Sequence, residues 1–238
     1  MGNKKGIIPW NKGKTKLTDI SVRKISETMR LKHIDNFAKW RKEAMLSGKI
    51  RDSDTKLKRT NKLAFIVGLI LGDGNIYVFP RTECLRITLG TDKPDLAFYV
   101  VKIMENVFSK APSMIKRNNS NCFNITFCQK NLSHRLEIPS GSRAKLEIKL
   151  PSWIWKKESF LISALRGLFE AEASYCVHEK TYTYNFEFSN RNSSLLDEVE
   201  KGLIFLGFHP EKRSYAVRLR KKAEAIGFRD LIRFRTYP

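Results

Sequence analysis

Leu63-Ala64-Phe65-Ile66-Val67-Gly68-Leu69-Ile70-Leu71-Gly72-Asp73-Gly74 decides the reading of this chain, because its plan recurs 99 residues later. The second copy is Ser159-Phe160-Leu161-Ile162-Ser163-Ala164-Leu165-Arg166-Gly167-Leu168-Phe169-Glu170-Ala171-Glu172-Ala173. Both are apolar, helix-forming runs, and the first is entered through a capping residue at Thr60 or Asn61. Each carries small residues four apart, Gly68 with Gly72 and Gly167 with Ala171, on one helix face. A glycine inside a helix costs about 1 kcal/mol relative to alanine, so such pairs mark a close approach of two backbones. The spacing therefore predicts that the two segments pack against each other.

That packing brings Asp73 and Glu172 together at the C-terminal ends of their helices. The helix dipole disfavours an anion there by about 0.3–1 kcal/mol, and a second carboxylate adds repulsion. A divalent cation compensates both effects. Oxygen ligands from Asp73 and Glu172, with the carbonyls of Gly72 and Ala171, suit Mg²⁺ or a similar ion such as Mn²⁺, with water and phosphate completing the shell. In a basic protein, such a pair points to metal-assisted phosphodiester hydrolysis.

The chain is strongly basic. Its 238 residues include 45 Lys and Arg against 24 Asp and Glu, a formal charge of +21, which implies a polyanionic partner. With 42% hydrophobic residues it can bury a core and is no disordered tail. The longest apolar run, from Leu63 to Gly72, is half of the roughly 20 residues a membrane helix needs, and no apolar signal follows Met1. A soluble, intracellular protein of the cytoplasm or an organelle matrix is expected, with no membrane partner. Cys84, Cys122, Cys128 and Cys176 form no CxxC pair and read as reduced fillers, and the four histidines form no spaced metal-binding pair.

Residues 1–62 carry 18 basic and 6 acidic side chains, leaving +9 for the other 176 residues. Gly2–Gly6 and the run from Pro9 to Thr15 are too rich in Gly, Asn and Pro for regular structure, and Trp10, Lys12 and Lys14 suit a phosphate backbone. From Thr18 to Gly48, Val22, Ile25, Met29, Phe37, Trp40 and Ala44 recur at helical spacing among cations, predicting one long or two short basic helices. A polar linker runs from Arg51 to Thr60. Residues 1–60 are read as a basic DNA-binding arm.

At the duplicated segments the sequence resembles the LAGLIDADG homing endonucleases in their monomeric, two-motif form. Ile66–Gly74 and Leu165–Ala173 align with the nine-residue motif; Leu71 departs from it at the first acidic position of copy one and Ala173 at the final glycine of copy two. The resemblance implies an α+β fold of two αββαββα repeats about a pseudo-twofold axis, with the last acid of each motif binding metal. It also implies an antiparallel saddle lying along DNA with a long target site. It covers residues 61–238, divided into repeat one (61–137), a linker (138–157) and repeat two (158–238). Ile8–Thr15 resembles short DNA-binding motifs appended to such nucleases. Family members place lysine or another polar residue near the scissile phosphates, roles open here to Lys93, Asn190 and Lys221.

Alternation predicts strands at Leu85, Ile87 and Leu89, at Phe123, Ile125 and Phe127, at Tyr182, Tyr184, Phe186 and Phe188, and at Tyr215, Val217 and Leu219. Their polar faces carry Arg86, Thr88, Asn124, Thr126, Thr183, Asn185, Glu187, Ser189, Arg218 and Arg220, side-chain types able to read bases. Helices are expected at 94–108 and 194–206, with Trp153 and Trp155 beneath the second motif helix. The leading reading is a site-specific double-strand DNA endonuclease. The alternative is a non-catalytic nucleic-acid binder, for instance a maturase acting on intron RNA; retention of both acids favours the enzyme.

Overall fold

Thr60 starts the ordered body as expected: its hydroxyl accepts the Leu63 amide at 3.2 Å and caps a helix over Asn61–Asp73. The computed structural model describes residues 8–47, 55–118, 120–143 and 146–237. Gly2–Gly6 and residues 51–54 of the polar linker lie outside the described residues. The chain forms two units, Met1–Asp52 and Ser53–Pro238.

In the first unit, Pro9–Gly13 turns, then α1 (Ile20–Leu31) and α2 (Ala38–Leu46) follow, so two short helices form rather than one. Asp19 caps α1 by accepting the amides of Ser21 and Val22. Of the apolar positions read along this segment, only Ala44 is fully buried; Trp10, Phe37 and Trp40 are exposed.

The second unit runs α3 (Asn61–Asp73), β1 (Gly74–Phe79), β2 (Thr82–Gly90), α4 (Pro94–Phe108), β3 (Ser113–Lys116), β4 (Cys122–Gln129) and α5 (Leu132–Leu136). The order then repeats: α6 (Glu158–Glu172), β5 (Ala173–His178), β6 (Thr183–Ser189), α7 (Ser193–Phe205), β7 (Glu211–Arg213), β8 (Ala216–Leu219) and α8 (Lys222–Leu231). Each half is thus αββαββα, with antiparallel sheets ordered β1-β2-β4-β3 and β5-β6-β8-β7. Every residue of α3 from Leu63 to Leu71 is buried. Phe127 stacks on Phe108 of α4, and Phe169 of α6 packs edge-on against Phe186 and Phe228, so each sheet hides one face beneath helices. No helix among the described residues is long and apolar enough to cross a membrane.

Two expectations need correction. Cys84 and Cys128 are joined by a disulfide, not reduced: the β2–β4 register sets them opposite each other with Cα atoms 4.1 Å apart, a pairing that a 44-residue separation conceals. Tyr182 and Tyr215 do not join the apolar strand faces. Tyr182 sits at φ 49° just before β6 and Tyr215 in the β7–β8 turn, and both are exposed because the strands start one residue later. Trp153 packs as expected, edge-on against Phe160 of α6, whereas Trp155 lies edge-on against Phe205 of α7.

Candidate metal centre and nucleic-acid face

The close approach of α3 and α6 is reciprocal. A Cβ on Gly68 would lie 2.0 Å from the Ala164 carbonyl oxygen, and one on Gly167 would lie 2.1 Å from that of Phe65. At the helix ends, a Cβ on Gly72 would fall 2.5 Å from Ala171 Cβ and 3.4 Å from Glu172 Cγ. The small-residue faces therefore lock the two C-termini side by side and deliver both carboxylates to one place.

Surrounding protein strips water from the Asp73 carboxyl and Glu172 repels its charge, while Lys93 opposes both; the result is a value pushed up to about 7. Asp73 keeps an exposed side, where water screens part of this. Burial likewise pushes Glu172 up, against a hydrogen bond from Asn190 Nδ2 to Oε1 at 3.3 Å. Lys93 and Asn190 thus stand one at each carboxylate. Lys221 does not join them: its ammonium pairs with Glu224 at 3.3 Å, at the start of α8.

A carboxyl with a raised value holds its proton to higher pH in the folded chain than in the unfolded one. Its stabilising contribution is complete below an ordinary value of 3.8 and is lost as pH rises through about 7. Metal-free protein should therefore melt a few degrees lower at about pH 8 than at about pH 5 through this group. Asp73→Asn should flatten that slope in thermal melts; parallel slopes in the two proteins would contradict the assignment.

The donor set fits a hard cation. Two carboxylate oxygens from separate helices meet beside last-turn carbonyls, among them those of Gly72 and Ala171, that lack intrahelical partners. Both carboxyls are held short of compensating charge, the condition a divalent ion relieves. Among the described residues no group of three or more His, Cys, Asp or Glu is placed to hold a metal ion, so further ligands would be carbonyls, water and phosphate.

No family model matches the sequence, and no curated protein matches it. Solved structures do match. Mesophilic variants of the homing endonuclease I-DmoI align at TM-score 0.52 and 16% identity, covering 72% of this chain and 94% of that one. I-DmoI in complex with DNA and Ca aligns at 0.51 and 17%, covering 72% and 88%. Full-length DUF199/WhiA from Thermatoga maritima aligns at 0.52 and 16%, covering 76% of this chain and 58% of that one. The fold is the LAGLIDADG fold.

Within the LAGLIDADG fold one departure in the motifs acquires a reason. Leu71, at the first acidic position of motif one, is buried core. Its counterpart Glu170 is also buried and serves the C-terminal segment: it accepts the Arg235 amide at 2.7 Å and the Tyr237 hydroxyl at 2.5 Å. Burial pushes its carboxyl up, against the Tyr237 hydrogen bond. Arg166 of motif two donates to the Thr236 carbonyl at 2.6 Å and lies 5.2 Å over the Tyr99 ring, joining the two halves beside Gly167. A buried acid two residues before Glu172 is legible in sequence as an acid, not as a latch.

The polar sheet faces form cross-strand rows. Asn75, Arg86, Thr126 and Ser113 share one row of the first sheet; Ser174, Glu187, Arg218 and Glu211 share one row of the second. Arg86 lies 5.1 Å over the Tyr77 ring, and Thr88 donates to Asn124 at 3.1 Å. Arg218 donates twice to Glu211 Oε2, at 3.0 and 2.9 Å, and Ser189 donates to Glu187 at 3.1 Å. Thr183 and Asn185 lie on the same face of β6, where Asn185 Oδ1 is buried without a hydrogen-bond partner among the described residues, and Arg220 stands exposed just past β8. The Cys84–Cys128 bridge also lies on the polar face, beside Tyr77. In the first unit, Lys14 pairs with Asp19 at 3.0 Å and sits 5.3 Å over the ring of Trp10, while Lys12 is exposed.

Proposed function

We propose that this chain is a site-specific double-strand DNA endonuclease that hydrolyses phosphodiester bonds with divalent metal held at Asp73 and Glu172. The observation that carries the reading is the meeting of these two under-compensated carboxylates at the ends of two backbone-contacting helices, in a chain of charge +21. Solved structures of I-DmoI with DNA and Ca and with DNA and Mn, on the same fold, support it.

Asp73 and Glu172, with the carbonyls of Gly72 and Ala171, would hold the ion. Mg²⁺ or Mn²⁺ supplies an activated water and stabilisation of the leaving oxygen when bound. Lys93 and Asn190, one at each carboxylate, would orient the scissile phosphates. The polar rows read base edges, and the backbone and cations of residues 1–60, with Trp10, Lys12 and Lys14, bind phosphates without reading sequence. Both halves lie in one chain, so a monomer suffices.

The deciding experiment is selection of cut sites from a library of random duplexes in Mg²⁺, repeated with chelator. A discrete target cut only with metal supports the enzyme. Retention of duplex or structured RNA with no cutting of any target would replace it with a non-catalytic binder.

Removal of residues 1–52 leaves the Thr60 cap in place and should weaken DNA binding, flatten its salt dependence and spare site preference. Each lost phosphate contact lowers the log–log salt slope by about 0.9. A truncated protein with an unchanged slope would show that the arm does not touch DNA.

A further inference from the structure

The segment between the halves does more than connect them. Gly141 donates its amide to the Ile76 carbonyl at 2.8 Å, tying the segment to β1. Two residues on, Arg143 Nη2 donates to the carbonyls of Ile70 at 2.7 Å and Gly74 at 2.5 Å, which bracket Asp73 at the end of α3. The backbone carbonyl of Arg143 accepts Asn192 Nδ2 at 2.9 Å, and the same nitrogen reaches the Leu146 carbonyl at 2.9 Å. Asn192 in turn donates its amide to Asn190 Oδ1 at 2.9 Å, and Asn190 Nδ2 reaches Glu172. Asn192 Oδ1 meanwhile caps α7 by accepting the Leu195 amide at 3.1 Å.

A continuous path of hydrogen bonds therefore runs from the backbone on either side of Asp73, through the linker, to the carboxylate of Glu172. The half-buried guanidinium places its charge where the α3 dipole is negative, and its Nη1 is buried with no hydrogen-bond partner among the described residues. A cation held at that expense is not filler between two domains.

We propose that Arg143, acting through Asn192 and Asn190, is a positioning residue that sets the two acidic ligands at a fixed spacing. This rests on the reading of Asp73 and Glu172 as the metal-holding pair. Arg143 touches neither carboxylate; it fixes the helix end that carries one and the asparagines that hold the other.

Two variants test it. Arg143→Met removes the donors at similar length, and Asn192→Asp keeps the α7 cap while removing the donor to the linker. Binding of Mn²⁺ alone is read by electron paramagnetic resonance, and the Asn190 side-chain amide by ¹H–¹⁵N spectra of metal-free protein, with melting temperature as the folding control. Both variants should bind Mn²⁺ about tenfold more weakly and shift the Asn190 amide, with cooperative folding retained. Unshifted amide signals in a folded variant overturn the strut whether or not Mn²⁺ binds. Wild-type Mn²⁺ affinity in both variants overturns it too, provided that Asp73→Asn loses the ion. If Asp73→Asn binds Mn²⁺ as well as wild type, the metal pair itself falls, and the amide signals alone decide the strut.

Discussion

Gly68→Leu is expected to abolish cooperative folding of the two-repeat body at ordinary temperatures. The added Cβ alone would sit 2.0 Å from the Ala164 carbonyl oxygen, 2.9 Å from its carbon and 3.1 Å from the Leu168 amide nitrogen. These are backbone atoms of α6, which no rotamer change can move aside. Relief requires the helices to part, and α3 is buried along nine consecutive residues from Leu63 to Leu71. Overpacking in a yielding core costs about 1–3 kcal/mol, and a separation that also opens the core around it costs more. Against a total stability of about 5–15 kcal/mol that is enough to unfold the body. Circular dichroism melts are the measurement; an unchanged midpoint would mean that the helices do not meet at this face. Gly167→Leu should behave alike, since its Cβ would strike the Phe65 carbonyl and the Leu69 amide at 2.1 and 2.6 Å.

The second large effect is catalytic. Asp73→Asn keeps the size of the side chain and removes the charge that would hold the ion, so cleavage of a selected target should fall about a thousandfold or more. DNA affinity should stay within a few-fold, because it comes from cations and polar strand rows that the substitution leaves untouched. Single-turnover cleavage and a binding isotherm in Ca²⁺ separate the two quantities. Cutting at the wild-type rate would remove Asp73 from the chemistry, and so would a loss of binding that accounts for the whole effect.

Local pattern carried most of the fold. The caps, the small-residue pairs and the alternation at Leu85, Ile87 and Leu89 depend on neighbours in sequence, and the structure bears them out. The disulfide depends on strand register across 44 residues, and the exposure of Tyr182 and Tyr215 on where a turn ends, neither of which alternation encodes. The candidate site divides the same way. Asp73 and Glu172 follow from motif offset, and Lys93 and Asn190 follow from strand ends. Lys221 pairs with Glu224, three residues on, a local contact that its place at a strand end does not encode, while Arg143 looks like any base in a polar linker until the carbonyls of Ile70 and Gly74 are seen around it.

The two outward rows, Asn75–Arg86–Thr126–Ser113 and Ser174–Glu187–Arg218–Glu211, occupy matching strands yet carry unlike charges. The second strand presents Arg86 in one half and Glu187 in the other. A duplex laid across matched backbones could be taken in either of two directions at equal energy. Under the proposed function these rows would break that degeneracy, giving the molecule a head and a tail, so that a bound site would be oriented as well as located.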